Sequence, residues 1–201
     1  MTMFVRFFGP CRMELSFSCF ALLAFCCLFV GGTSSAVFLM AVLLHEFSHL
    51  LALFLLHAPP VRCRLSALGC RLELDPARPL SCKKSALVSL AGPCGNLLLF
   101  LLCAIFGQGF SRFGLANLAL GAFHLLPVEP LDGGLALRAF LTEKLGGHAA
   151  GKLVAVCSVL ALFPLSVAGF LILLRTRYNF SLLALCMYLM LYLVLKQDFF
   201  L

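Results

Sequence analysis

The sequence predicts an all-α polytopic membrane protein with about six transmembrane helices and a short membrane-associated β-hairpin between the second and third. Three observations lead there. Of the 201 residues, 63% are hydrophobic and 11% charged, and the mean hydropathy is +1.09; ordinary soluble domains are roughly 45–50% apolar. The apolar residues gather in runs long enough, or nearly so, for the ~20 residues that cross a hydrocarbon core. One segment between two runs alternates with period two instead. A soluble chain of this composition would expose apolar patches far larger than soluble monomers tolerate.

The first run, Met13 to Gly32, is long and carries no clear small-residue cleavage pattern, so it reads as a span and not as a removed signal peptide. The second is Ala36 to His57, closed by Pro59-Pro60. Then "VRCRLSALGCRLELD" sets Val61, Cys63 and Leu65 against Arg62, Arg64 and Ser66, and Cys70, Leu72 and Leu74 against Arg71, Glu73 and Asp75, with Gly69 near the bend. That alternation predicts the hairpin. Ser85 to Phe106 and Phe113 to Leu131 are the third and fourth runs. Gly133 to Gly151, holding Arg138, Glu143 and Lys144, predicts a short cytoplasmic helix followed by a flexible link. Leu153 to Leu174 and Phe180 to Leu195 complete the set. No internal repeat and no loop long enough for an inserted soluble domain interrupts it.

The net charge of +7 suggests nucleic acid until its distribution is followed. With the N-terminus in the cytoplasm, twelve of the fifteen Lys and Arg residues fall on the cytoplasmic side, leaving only Arg112, Arg175 and Arg177 outside. The positive-inside rule then puts both termini in the cytoplasm. The basic excess serves topology and contact with anionic lipid, and nucleic acid is excluded as the partner. Most of the eleven cysteines lie singly in apolar runs and no CxxC occurs, so neither a zinc knuckle nor a thioredoxin motif is present.

Within the second run stands "HEFSH", His45 to His49. Ionisable groups inside a membrane cost roughly 2.5–3.5 kcal/mol at a helix centre on insertion scales, and they mark function by default. On a helix His45 and His49 share one face a turn apart, so two imidazoles can bind one zinc ion while Glu46 flanks them as a general base toward water. Helix-packing residues hydrogen-bonded across a bundle are the alternative. A catalytic zinc takes a third protein ligand. "FHLLPVEPLDGG", Phe123 to Gly134, offers Asp132 as that ligand, with Glu129 beside it. Pro127 and Pro130 break helical hydrogen bonding there, which membrane depth tolerates only against protein or a polar cavity. Asn96, in "AGPCGN", could bond substrate backbone, steady an oxyanion or act as interhelical glue.

HEFSH at 45–49, AGPCGN at 91–96 and LPVEPLDGG at 126–134, in this order, resemble the site-2 protease family of intramembrane zinc metalloproteases. In its compact layout the chain is most similar to the stage IV sporulation protein FB branch. The resemblance implies one zinc per chain on His45, His49 and Asp132, with Glu46 as general base and Asn96, His124 and Pro127 positioning substrate. It implies a single intramembrane metalloprotease domain over 1–201 with its core at 36–134, lacking the PDZ and cystathionine β-synthase domains of some relatives. It further implies a multi-pass protein of a bacterial membrane that performs regulated intramembrane proteolysis of membrane-bound substrates, such as pro-sigma or anti-sigma factors, with an inhibitory or gating membrane partner. Two positions depart from the family pattern: His124, where asparagine is usual, and Glu129, usually apolar or small. Three competing readings stay open. These are a transporter or proton or metal pathway built on the same groups, a zinc site completed by Glu129 or Glu143, and an inactive relative that only binds membrane proteins.

Overall fold

The computed structural model describes residues 2–6, 12–16, 32–66, 69–73, 79–177 and 180–197. The chain forms two compact units, Met1–Ala122 and Phe123–Leu201.

The first unit opens with strands β1 (Thr2–Arg6) and β2 (Arg12–Ser16). The first predicted span, Met13 to Gly32, is therefore corrected at its start, and its residues 17–31 lie outside the described residues. The reason is visible in "RMELS": Met13 and Leu15 alternate with Arg12, Glu14 and Ser16, a period that an averaged hydropathy ignores. Helix α1 (Gly32–Leu55) follows, then β3 (Arg62–Ser66) and β4 (Gly69–Glu73), then α2 (Cys82–Ile105) and α3 (Arg112–His124), whose last two residues belong to the second unit. The sheet order is β1-β2-β3-β4. β1 and β2 pair antiparallel, β2 and β3 parallel from Arg12↔Arg62 to Leu15↔Leu65, and β3 and β4 antiparallel from Arg62↔Glu73 to Ser66↔Gly69. Across the last pair Arg62 and Glu73 form an exposed ion pair at 3.4 Å, a contact worth under about 1 kcal/mol in water.

α1 contains no proline, and its interior from Thr33 onward lacks glycine. It stops where His57 takes a left-handed conformation, φ 55°, and the Ala58 N–H returns to the Leu53 carbonyl at 3.0 Å, with Pro59-Pro60 beyond to prevent continuation. α2 starts under Ser81, whose hydroxyl accepts from the Lys84 N–H. Pro93 inside α2 carries no N–H for the Ser89 carbonyl.

The second unit holds α4 (Asp132–Leu145), α5 (Gly147–Thr176) and α6 (Ser181–Gln197) around a core of Val128, Leu131, Leu162, Cys186, Leu189 and Leu193. Two expectations are corrected here. Phe113 to Leu131 is not one span: α3 ends at His124 after 13 residues, about 20 Å at ~1.5 Å per residue, and a non-helical stretch follows. The flexible link expected before Gly151 shrinks to Gly146, φ 81°, because α5 begins at Gly147 with Ala150, Gly151 and Val154 buried. Small residues that let a neighbouring backbone approach outweigh glycine's poor helix propensity.

Among the described residues three helical segments, Thr33–Leu55, Cys82–Ile105 and Gly147–Thr176, are long and apolar enough to cross a membrane, and Ser181–Leu195 is a shorter apolar helix. Of the six expected spans, the described residues show three helices of spanning length and one shorter apolar helix, while residues 17–31 of the first lie outside them. Their outer faces carry large apolar side chains such as Phe54, Ile105 and Phe163, each more than half exposed, as lipid contact requires. This is a multi-pass membrane protein.

Candidate metal centre

In the first unit α1 carries His45 and His49 one turn apart with Glu46 next to His45, and α2 faces them with Val88, Gly92 and Asn96 at four-residue spacing. His45 and His49 are 2% and 8% exposed, and Glu46 beside them is half-buried. The two rings meet edge to face, centroids 4.8 Å apart. Each ring is held by its Nδ1: that of His49 lies 2.7 Å from the Val88 carbonyl oxygen and that of His45 lies 2.7 Å from Asn96 Oδ1. A carbonyl oxygen can only accept, so both Nδ1 atoms carry the proton. With both rings neutral, both Nε2 atoms present lone pairs, and they stand 3.2 Å apart.

Two lone pairs at that distance repel unless a cation or a proton lies against them. Nδ1 donors fixed to oxygen acceptors with Nε2 directed inward are the arrangement of metal-ligating histidines, whose tautomer is set by the other ring nitrogen. Gly92 makes the approach possible. A Cβ built there would lie 2.7 Å from His45 Nε2 and nearer still to His49 Nε2.

Asn96 is fully buried. Its Nδ2 donates to the Ala41 carbonyl at 3.2 Å and to Asn117 Oδ1 at 2.8 Å, so both amide hydrogens and one oxygen lone pair are engaged by protein. Asn96, expected to bond substrate or to act as interhelical glue, thus bonds His45 and Ala41 on α1 and Asn117 on α3.

In the second unit α3 ends at His124 and the chain turns through Leu125–Leu131 into α4, with a cis Glu129–Pro130 peptide. Short bonds from Val128 N to Leu126 O and from Leu131 N to Val128 O, both 2.7 Å, close this turn. Gly133 and Gly134 let α4 start against it: a Cβ on Gly133 would strike the Leu125 carbonyl, and one on Gly134 the Val128 backbone. Asp132 is the first residue of α4, where a carboxylate is favoured by the helix dipole. His124 Nδ1 lies 2.7 Å from Asp132 Oδ2, with side chains 27% and 16% exposed. The histidine that departs from the family pattern is therefore paired with the predicted third ligand. Pro127 lies in the turn, its carbonyl 3.4 Å from Ser158 Oγ.

Glu129, the other departure, is held in an ion pair. Its Oε1 accepts from Arg138 at 2.7 Å while its backbone N–H donates to Ser158 Oγ at 3.0 Å. The Glu129 side chain is 6% exposed and that of Arg138 31%. Removing the arginine takes this ion pair from a carboxylate that is almost fully buried. Arg138→Ala should destabilise the protein by about 3 kcal/mol, near the lower bound for breaking a buried pair because the arginine still reaches solvent. Thermal unfolding in detergent measures this, and Glu129→Gln with Arg138→Met together should restore most of the loss.

Reading the sequence singled out His45, Glu46, His49, Asn96, His124, Pro127 and Asp132, with Gly92 inside AGPCGN as the start of a tight approach or kink, but not Val88 and Asn117. Asn117 alone carried a signal, being a lone amide in the apolar α3, the kind of residue that makes interhelical bonds. A backbone carbonyl such as that of Val88 has none.

No family model matches the chain. A zinc metalloprotease of Methanocaldococcus jannaschii is 33% identical to it over 78 residues, and a candidate zinc metalloprotease of Synechocystis sp. is 36% identical over 78 residues. Both alignments cover 34% of this chain, and they take in 23% and 21% of the two relatives, so the chain matches less than a quarter of either one. Among solved structures, the site-2 protease of Methanocaldococcus jannaschii superposes with a TM-score of 0.61 over 94% of this chain and 92% of that one, at 19% identity. The chain therefore has the fold of a site-2 protease, with a histidine pair built into its first unit and a histidine–aspartate pair into its second.

Proposed function

We propose that this chain is a zinc-dependent intramembrane endopeptidase, acting as one catalytic domain with its core at 36–134, that hydrolyses peptide bonds in or near transmembrane segments of membrane-bound proteins. The observation that carries the reading is the pair of Nε2 atoms 3.2 Å apart, on two rings that each meet an oxygen acceptor at Nδ1. His45, His49 and Asp132 are the proposed ligands of a single zinc ion, a donor set of two imidazoles and one carboxylate that leaves a fourth position open as catalytic zinc requires. Bound zinc supplies a Lewis acid that brings the pKa of a water toward ~7. Glu46 would serve as the general base toward water and as the acid toward the leaving amine. Asn96 and His124 support the reaction by holding His45 and Asp132, and Pro127 keeps the turn ahead of Asp132 non-helical, where substrate can approach.

The five arginines Arg6, Arg12, Arg62, Arg64 and Arg71 belong to one sheet, hence to one side of the membrane. The positive-inside rule supports that side as cytoplasmic, facing anionic lipid. The relatives named above, from Methanocaldococcus jannaschii and Synechocystis sp., do not point to the sporulation branch. The pro-sigma or anti-sigma substrate, the bacterial source and a gating partner accordingly rest on motif resemblance alone.

Elemental analysis of the detergent-purified protein tests the reading. About one zinc per chain is expected in the wild type, lost or sharply weakened in both His45→Ala and Asp132→Ala. A well-folded wild type without zinc would sink it.

A further inference from the structure

Behind His45 runs a chain of buried amides that ends on two backbone carbonyls. Asn117 is fully buried on α3, and its Nδ2 donates to the Phe113 carbonyl at 2.9 Å. Because that carbonyl only accepts, the nitrogen of Asn117 must face it, and Oδ1 must face the other way, toward Asn96 Nδ2 at 2.8 Å. Asn96 is fixed by the same logic. Its two nearest partners on one side, the Ala41 carbonyl and Asn117 Oδ1, are both acceptors, so the nitrogen points to them and Oδ1 points to His45 Nδ1. Every bond in the sequence Phe113, Asn117, Asn96, His45 therefore has one permitted direction, without any choice of amide flip.

We infer that Asn117 is a positioning residue for the metal site: through Asn96 it locks His45 in the tautomer that carries its proton on Nδ1 and its lone pair on Nε2. The inference rests on the zinc reading for its purpose but not for its geometry. Were Asn96 to rotate by half a turn, its NH2 group would face His45 Nδ1, the ring would have to accept there, and the proton would move to Nε2, where it blocks a cation. Two acceptors oppose that rotation. Ala41 supplies one and Asn117 the other, so loss of Asn117 weakens the lock without abolishing it. The side chain of Asn117 does this from one helix further out than the ligand helix and its immediate partner. Nothing else in the position demands asparagine, since leucine would suit an apolar helix and a buried amide costs free energy unless satisfied.

The test has two readouts, one of which needs no metal. In metal-free wild-type protein with 15N-labelled histidine, His45 should show a protonated Nδ1 and a bare Nε2 by NMR in detergent. Asn117→Leu should give a mixture of tautomers and about a tenfold loss of zinc affinity in chelator competition, the lower range for outer-shell partners of a ligand. Asn117→Asp, which as a neutral acid accepts from Asn96 and donates to Phe113, should return both readouts close to wild type. In an Asn96→Leu background, Asn117→Leu should cost no further affinity. Unchanged tautomer and affinity in a folded Asn117→Leu protein overturns the inference, and so does a wild-type His45 protonated on Nε2, a result that stands even if the leucine variant fails to fold. A wild type that binds no zinc, yet shows the tautomer shift on substitution, leaves the relay intact and removes the zinc reading instead.

Discussion

Replacing Gly92 with alanine is expected to remove zinc binding while leaving the helices in place. The expectation comes from a conflict of signs. In a helix interior alanine is more favourable than glycine by about 1 kcal/mol, so by propensity alone Gly92→Ala strengthens α2. But the added Cβ would lie 2.7 Å from His45 Nε2 and closer to His49 Nε2, against the two atoms proposed to hold the ion. Neither ring can retreat cheaply, because both are buried and both are tied at Nδ1. One ring must break its bond or α2 must move away from α1, and either change separates the donors. Affinity should fall roughly a hundredfold or more, at or beyond the upper range for disturbing a ligand's supports. Chelator competition reads it directly, with helical content by circular dichroism as the check on folding. Gly147→Ala provides the control, since a Cβ there would meet nothing within 4 Å, and it should bind zinc as the wild type does. If Gly92→Ala keeps full affinity, the ion does not sit between the two Nε2 atoms.

How much of this arrangement was legible in the sequence depends on the length scale of the signal. His45 and His49 were readable because helical spacing alone puts them on one face, and Asp132 because two prolines and two glycines around an acidic residue have few uses at membrane depth. The span boundaries were less so. An apolar run from Phe113 to Leu131 has the hydropathy of one helix, yet the chain leaves the helix after His124, and only Pro127 and Pro130 warned of it. The link expected before Gly151 failed for the opposite reason, since α5 already begins at Gly147 and Gly151 is buried within it. The supports of the histidines lay furthest from view. Helices that are apolar all round carry little periodic contrast to say which face meets which neighbour, so nothing in the sequence tied Asn117 to Asn96 or brought the Val88 carbonyl to His49. Asn96 was noticed as polar at depth, but its bond to His45 was out of view because its partners are all long-range in sequence.

Glu46→Gln should do the opposite of Gly92→Ala, keeping the zinc and losing the chemistry. Glutamine has the shape of a carboxylic acid, retains the helix propensity of glutamate and removes only the ability to accept and later release a proton. In the proposed site Glu46 sits between His45 and His49 in sequence and flanks the face they share without belonging to it, so the ligand set is untouched. Cleavage of a labelled transmembrane peptide should fall by about 10²–10⁴, the usual worth of a positioned general base, at unchanged zinc content. The same variant separates the competing reading. In a proton or metal pathway, glutamine would imitate a permanently protonated glutamate and alter solute movement, with no peptide bond broken before or after the substitution. Cleavage that persists in Glu46→Gln would take the general base away from α1 and leave Glu143 or His124 to be tried. Zinc lost together with activity would instead make Glu46 a ligand, and the two outcomes differ in a metal analysis that needs no substrate at all.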